Sequence, residues 1–97
     1  MKIYIAGKIT GDPKYFDKFW RAETELKKQG YVVLNPALLP EKMTPMDYMR
    51  ICFSMIDTAD AVAFLSDWRE SPGATLEHAY CEYIGKRIIY PLIGGNR

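Results

Sequence analysis

A metal centre made from this chain's own side chains would have almost nothing to draw on. There is one histidine, His78, and the two cysteines, Cys52 and Cys81, stand in no ligand spacing. That excludes zinc-finger and Cys-x-x-Cys chemistry. It also excludes a disulfide framework; both cysteines fall inside helical patterns, and reduced thiols in the cytoplasm are the expected state. The net charge is +1, from 13 Lys and Arg against 12 Asp and Glu, so the footprint of a nucleic-acid polymer or an anionic membrane is missing as a partner signal. No apolar run approaches membrane-spanning length, and Met1-Lys2 leads into a strand pattern rather than a signal peptide. Internal repeats, linkers and low-complexity tracts are absent too. What is left is an ordinary balance, 48% hydrophobic and 26% charged over 97 residues. One domain over residues 1–97, with a single core and no cofactor, is the expectation.

The pattern along the chain alternates strand and helix. Lys2 to Ala6 reads as a short buried strand, ended by Gly7 in the loop Gly7-Lys8-Ile9-Thr10-Gly11-Asp12. Asp12-Pro13 reads as the cap and first residue of a helix whose apolar stripe is Phe16, Phe19, Trp20 and Leu26, closed by Gly30. Tyr31 to Leu34 is a second strand, and Asn35 to Met43 a loop with two prolines. Thr44-Pro45-Met46-Asp47 has the form of a capping box opening a helix to about Thr58. Asp60 to Leu65 is a third strand, a helix opens at Ser71 and ends near Gly85, and Arg87 to Tyr90 is a fourth strand. Such alternation predicts a three-layer α/β domain of Rossmann or flavodoxin type, with a small parallel sheet ordered 2-1-3-4. Right-handed crossovers place ligands at the carboxyl ends of the strands, where the Gly7–Asp12 and Ser66–Gly73 loops emerge.

The most informative stretch is Ser71-Pro72-Gly73-Ala74-Thr75-Leu76-Glu77. Ser71 is suited to cap the helix, and Pro72 to its first position, where a missing donor costs nothing. Gly73 bares the backbone, so an anion can approach the amides of Gly73 and Ala74. Glu77 lies one turn further in, and helical side chains lean back towards the N-terminus. A carboxylate is thereby aimed at the place a sugar or phosphate would occupy.

Three segments in order, Ile3-Tyr4-Ile5-Ala6-Gly7, Ala59-Asp60-Ala61-Val62 and Ser71 through Glu77, carry a family likeness. The chain resembles the nucleoside 2-deoxyribosyltransferase-like group, which includes deoxynucleoside 5′-monophosphate N-glycosidases. The resemblance implies that Glu77 attacks the anomeric carbon and that Tyr4 orients it. It further implies that Ser71 contacts sugar or phosphate, and that the loop Gly7, Lys8, Ile9, Thr10 and Gly11 closes over that end of the ligand. Where the family carries an aspartate that protonates the leaving base, this chain has Cys52, and a neutral thiol is a poor general acid. Lys8 stands where the monophosphate hydrolases tend to have serine. The cytokinin-activating phosphoribohydrolases share a similar helix start.

The chemistry unites these residue types. Breaking an N-glycosidic bond develops positive charge on the sugar, which a buried carboxylate captures or stabilises. The expected ligand is accordingly a nucleoside or nucleotide, with Gly73, Ala74 and Ser71 at its anionic end and Trp68, in the loop before Ser71, either stacking on its base or packing over the sheet edge. Two functions follow: cleavage or transfer at the N-glycosidic bond, or non-catalytic binding of a nucleotide or ADP-ribose-like signal. Finally, the 44–58 helix presents two apolar faces, Met49-Cys52-Phe53-Ile56 and Tyr48-Ile51-Met55. A homodimer or larger homo-oligomer through this helix is expected.

Overall fold

Hydrophobic runs that are apolar on both faces of a strand can only be satisfied in the middle of a sandwich of helices. That is where the chain puts them. A computed structural model describes residues 1–91. Four strands, β1 (Lys2–Ala6), β2 (Val32–Leu34), β3 (Ala61–Phe64) and β4 (Arg87–Ile89), form one parallel sheet in the order β2-β1-β3-β4. The expected order 2-1-3-4 and the α/β class are both found.

Alternation along β1 divides the core. Ile3 and Ile5 point to the face covered by helix α1 (Tyr15–Lys28), where they pack with Phe19, Ala22 and Leu26. Tyr4 and Ala6 point the other way, towards helices α2 (Pro45–Thr58) and α3 (Pro72–Ile84), among Cys52, Ile56, Val62 and Cys81. Register fixes the depth of each side chain: Tyr4 lies opposite Val62, and Ala6 opposite Phe64. Because α1 leaves β1 to one face and α3 leaves β3 to the other, the ends of these adjacent strands part and open a crevice.

The caps follow local chemistry. Thr44 and Asp47 form the expected capping box on α2, with bonds of 3.1 Å in each direction. Ser71 caps α3, and Gly85 ends it in the left-handed conformation at φ 75°.

The start of α1 differs from expectation. Asp12 caps nothing; its Oδ1 accepts from the Lys14 N–H at 2.9 Å in a turn, and the helix begins at Tyr15. The stripe differs as well. Phe19, Ala22 and Leu26 face the sheet, while Phe16 and Trp20 are more than half exposed. At about 100° per residue those two lie about 90° and 130° round the helix from that stripe. The second apolar face of α2 is partly used within the chain: Met55 packs against the core, and the Tyr48 hydroxyl donates to the Pro40 carbonyl at 2.7 Å. Among the described residues no helix is long and apolar enough to cross a membrane.

Candidate functional site

The crevice at the ends of β1 and β3 is a cavity of about 1000 Å³. Its floor is Tyr4 and Glu77. The β1 loop forms one wall through Gly7, Ile9, Thr10 and Gly11, and the start of α3 forms another through Ser71, Gly73 and Ala74. Much of the rest is apolar: a 3-10 turn, Pro36–Leu38, contributes Pro36 and Ala37, and α2 contributes Met49 and Cys52, while Asp12 and Glu41 stand at the rim.

At the floor the Tyr4 hydroxyl donates to Glu77 Oε2 at 2.9 Å, and both residues are buried. Burial pushes the Glu77 carboxyl up from 4.5 to about 7, against the opposing pull of hydrogen bonds from Tyr4 and Cys52. The Tyr4 hydroxyl is raised well above its ordinary value by burial first and by the neighbouring Glu77 charge second. The Cys52 thiol, also buried, is pushed up to about 11. It is therefore a neutral wall group near neutral pH rather than an acid or a thiolate.

The start of α3 is a thinner anion cradle than the sequence suggests. Ser71 Oγ accepts from the Ala74 N–H at 3.1 Å, and the Ser71 carbonyl accepts from the Thr75 N–H at 2.9 Å. Pro72 has no donor to offer. Only the Gly73 N–H in this turn lacks a partner among the described residues. A methyl group built on Gly73 would stand 3.4 Å from Met49 Cε, in ordinary contact, so its absence widens the cavity rather than relieving a clash. Gly7 has a different reason for being glycine: a Cβ there would meet Leu65 at 3.1 Å and Asp67 at 3.2 Å, where β1 and β3 close together.

Two expected contacts lie elsewhere. Trp68 does not line the cavity. It sits in a 3-10 turn, Trp68–Glu70, that folds the indole back beneath α3, only 8% exposed. There it stacks on His78 with ring centres 3.9 Å apart and meets Phe64 edge-on. Packing over the end of the sheet, not base stacking, is its job. Lys8 is also outside the lining; its Nζ pairs with Glu70 at 3.6 Å while its N–H donates to Asp67 Oδ1.

A positioning group went unseen in the sequence. The Lys18 ammonium, on α1, donates to Asp12 Oδ2 at 2.6 Å, to the Lys8 carbonyl at 2.9 Å and to Asp67 Oδ2. It ties the β1 loop to the loop after β3, the two segments that frame the cavity. Hydrogen bonding to Lys18 also holds the Asp12 carboxyl below its ordinary value. Asn35 plays a similar part for the far wall, donating to Glu23 and accepting from the Ala37 N–H, both at 2.9 Å. These contacts join residues 6 to 49 positions apart, or fall in a turn with no apolar period, so no local pattern announces them.

Comparison with known proteins now decides the kinship. The model of a family described as a domain of unknown function, DUF4406, matches residues 1–90. The chain belongs to that family. Among solved structures, this DUF4406 protein is similar to the 2-desoxiribosyltransferase from Leishmania mexicana, with a TM-score of 0.66 and 21% identity. The similarity covers 92% of this chain and 62% of that one, so the DUF4406 protein spans less than two thirds of that enzyme's length. The nucleoside 2-deoxyribosyltransferase-like fold expected from the three sequence segments is thus the fold of this chain. No curated protein matches it.

Proposed function

We propose that this DUF4406 protein cleaves or transfers the N-glycosidic bond of a nucleoside or nucleotide, with Glu77 as nucleophile at the anomeric carbon. The observation that carries the reading is the buried Tyr4–Glu77 pair on the floor of a largely apolar cavity. A carboxylate in that setting faces the positive charge that grows on a sugar as its base departs. Tyr4 is a positioning residue: its hydroxyl holds one carboxylate oxygen in place and favours the ionised form that must attack. The apolar wall from Pro36, Leu39 and Met49 suits the face of a base and excludes water from the bond that breaks. Buried, unpaired Cys52 and Cys81 fit a reducing cytoplasm.

One observation favours a second reading, a non-catalytic binder. The Cys52 thiol stands where the resembling enzymes hold an acid, and at about 11 it protonates nothing. Incubation with nucleosides and nucleotides, followed by chromatography of the released bases, separates the two readings. The enzyme reading expects base release by the native protein, none by Glu77→Ala, and retained binding without turnover in Glu77→Gln. A native protein that binds stoichiometrically and releases no base from any substrate supports the binder instead.

A further inference from the structure

The walls of the cavity carry charge of one sign. Its acidic lining residues are Glu77 on the floor and Asp12 and Glu41 at the rim, and among the described residues no lysine, arginine or histidine lines it. The nearest cations are already engaged. Lys18 is held between Asp12 and Asp67, and Lys8 faces Glu70. Asp12 is thereby matched, whereas Glu77 and Glu41 have no cationic partner among the described residues.

A second feature points the same way. Departure of a neutral purine or pyrimidine leaves a nitrogen anion unless a proton arrives. The groups that face Glu77 are Tyr4 from β1, Cys52 from α2 and Cys81 one turn further along α3. Neither thiol nor phenol is an acid near neutral pH. Tyr48, on the apolar wall, already donates to the Pro40 carbonyl. Among the described residues, the groups that face Glu77 offer the base no acid near neutral pH.

We propose that the cavity is built for N-glycosides whose base is itself a cation, a pyridinium or an N-alkylated purine, and that loss of the base as a neutral molecule takes the place of general-acid catalysis. This rests on the N-glycosidase reading above and names its substrate class. The step balances without an added acid. The bond from the anomeric carbon to nitrogen breaks, its electron pair cancels the positive charge of the base, and the Glu77 carboxylate forms an ester at the anomeric carbon. Water then hydrolyses the ester, giving the free sugar and returning the carboxylate with release of one proton. A cation bound over Glu77 also favours the ionised carboxylate that the first step needs, so binding expels a proton. A 5′-phosphate, by contrast, brings two negative charges to a rim that, among the described residues, carries no cation and holds Glu41 without a cationic partner.

The test compares substrates that differ by one methyl group and one charge. Guanosine, guanosine 5′-monophosphate and N7-methylguanosine, with their 2′-deoxy counterparts, are incubated with the native protein. Each kcat/KM is divided by the rate of base loss without protein, which removes the intrinsic lability of the methylated compounds. The expected result is at least a tenfold advantage for the methylated nucleosides, with kcat/KM rising through one ionisation of the protein and falling on the alkaline side only with loss of the substrate's own N1 proton. Equal or faster turnover of guanosine or its monophosphate overturns the cationic preference and leaves the N-glycosidase reading standing. An alkaline fall in the rate with N7-methylguanosine beyond that set by loss of the substrate's own N1 proton reveals a working proton donor and overturns it as well. Absence of base release from all six substrates overturns the N-glycosidase reading itself, and this inference with it.

Discussion

Replacing Glu77 by glutamine should make the protein more stable at pH 8, and the size of the gain follows from burial. In the unfolded chain the carboxyl titrates near 4.5; in the folded protein burial holds it at about 7. Below pH 4.5 both states carry the proton, and the residue costs nothing. Between those values the unfolded chain has lost the proton while the folded protein keeps it, so stability falls as pH rises. Above about 7 both are ionised and the loss is complete. At about 1.4 kcal/mol per pH unit, the fall across this window totals about 3 kcal/mol. Glu77→Gln keeps the shape and a hydrogen-bond acceptor for Tyr4 but has no proton to lose. Urea denaturation of both proteins from pH 4 to pH 8 gives the measurement. The difference in unfolding free energy should grow in favour of the variant from pH 4.5 to 7 and then level off. Asp12, Glu23 and Asp60, whose carboxyls are lowered mainly by hydrogen bonds to lysines or their backbone, slope the opposite way at lower pH and cancel in the difference. Parallel curves for the two proteins would refute the buried carboxylate.

Removal of the Lys18 ammonium by Lys18→Met should cost about 1–2 kcal/mol, discounted for the partial exposure of its partners, and should raise KM for the substrate more than it lowers kcat. Thermal denaturation and steady-state kinetics read the two effects. Trp68→Ala should cost about 3–5 kcal/mol, because the indole is packed between His78 and Phe64; a stable variant with weakened base binding would restore the stacking role. Gly73→Ala should alter stability by less than about 1 kcal/mol yet weaken ligand binding by calorimetry, since its methyl enters the cavity beside Met49. Self-association through α2, proposed on the exposure of Met46 and Ile51, should appear as a mass above that of the monomer in sedimentation at micromolar concentration; a strictly monomeric mass overturns it.

Most of the architecture was legible because most of its elements speak locally. Parallel strands that are apolar throughout, caps at Thr44 and Ser71, and Gly85 after the last helix each state a boundary within a few residues. The Tyr4–Glu77 pair was legible through likeness to other chains, and the backward lean of helical side chains aimed Glu77 correctly. What escaped depended on the third dimension. Asp12-Pro13 has the composition of a helix start, but Asp12 is drawn into a turn and held by Lys18. Trp68 occupies a loop in sequence and a core position in space, because a single 3-10 turn reverses the chain. The apolar aromatics Phe16 and Trp20 outweigh Ala22 in any reading of hydrophobicity, yet Ala22 faces the sheet, where there is room for a small side chain.

The place of β1 in the sheet has a consequence for how the molecule comes into being. This first strand is central, and its neighbours are synthesised long after it: Tyr4 pairs with Leu34 on one side and Val62 on the other. Its hydroxyl meets its carboxylate partner across 73 residues of chain. A ribosome making this protein therefore exposes Ile3, Tyr4 and Ile5 with no strand beside them until β2 has emerged, and with one edge of β1 open until β3 follows. Loop closure over such distances is slow compared with helix formation. Helix α1 has the chance to form early and to shelter one face of the strand, while the face bearing Tyr4 waits for α2 and α3. The Tyr4–Glu77 pair is thus among the last parts to assemble, and a chain arrested before Glu77 holds half of that pair and an uncovered strand prone to association.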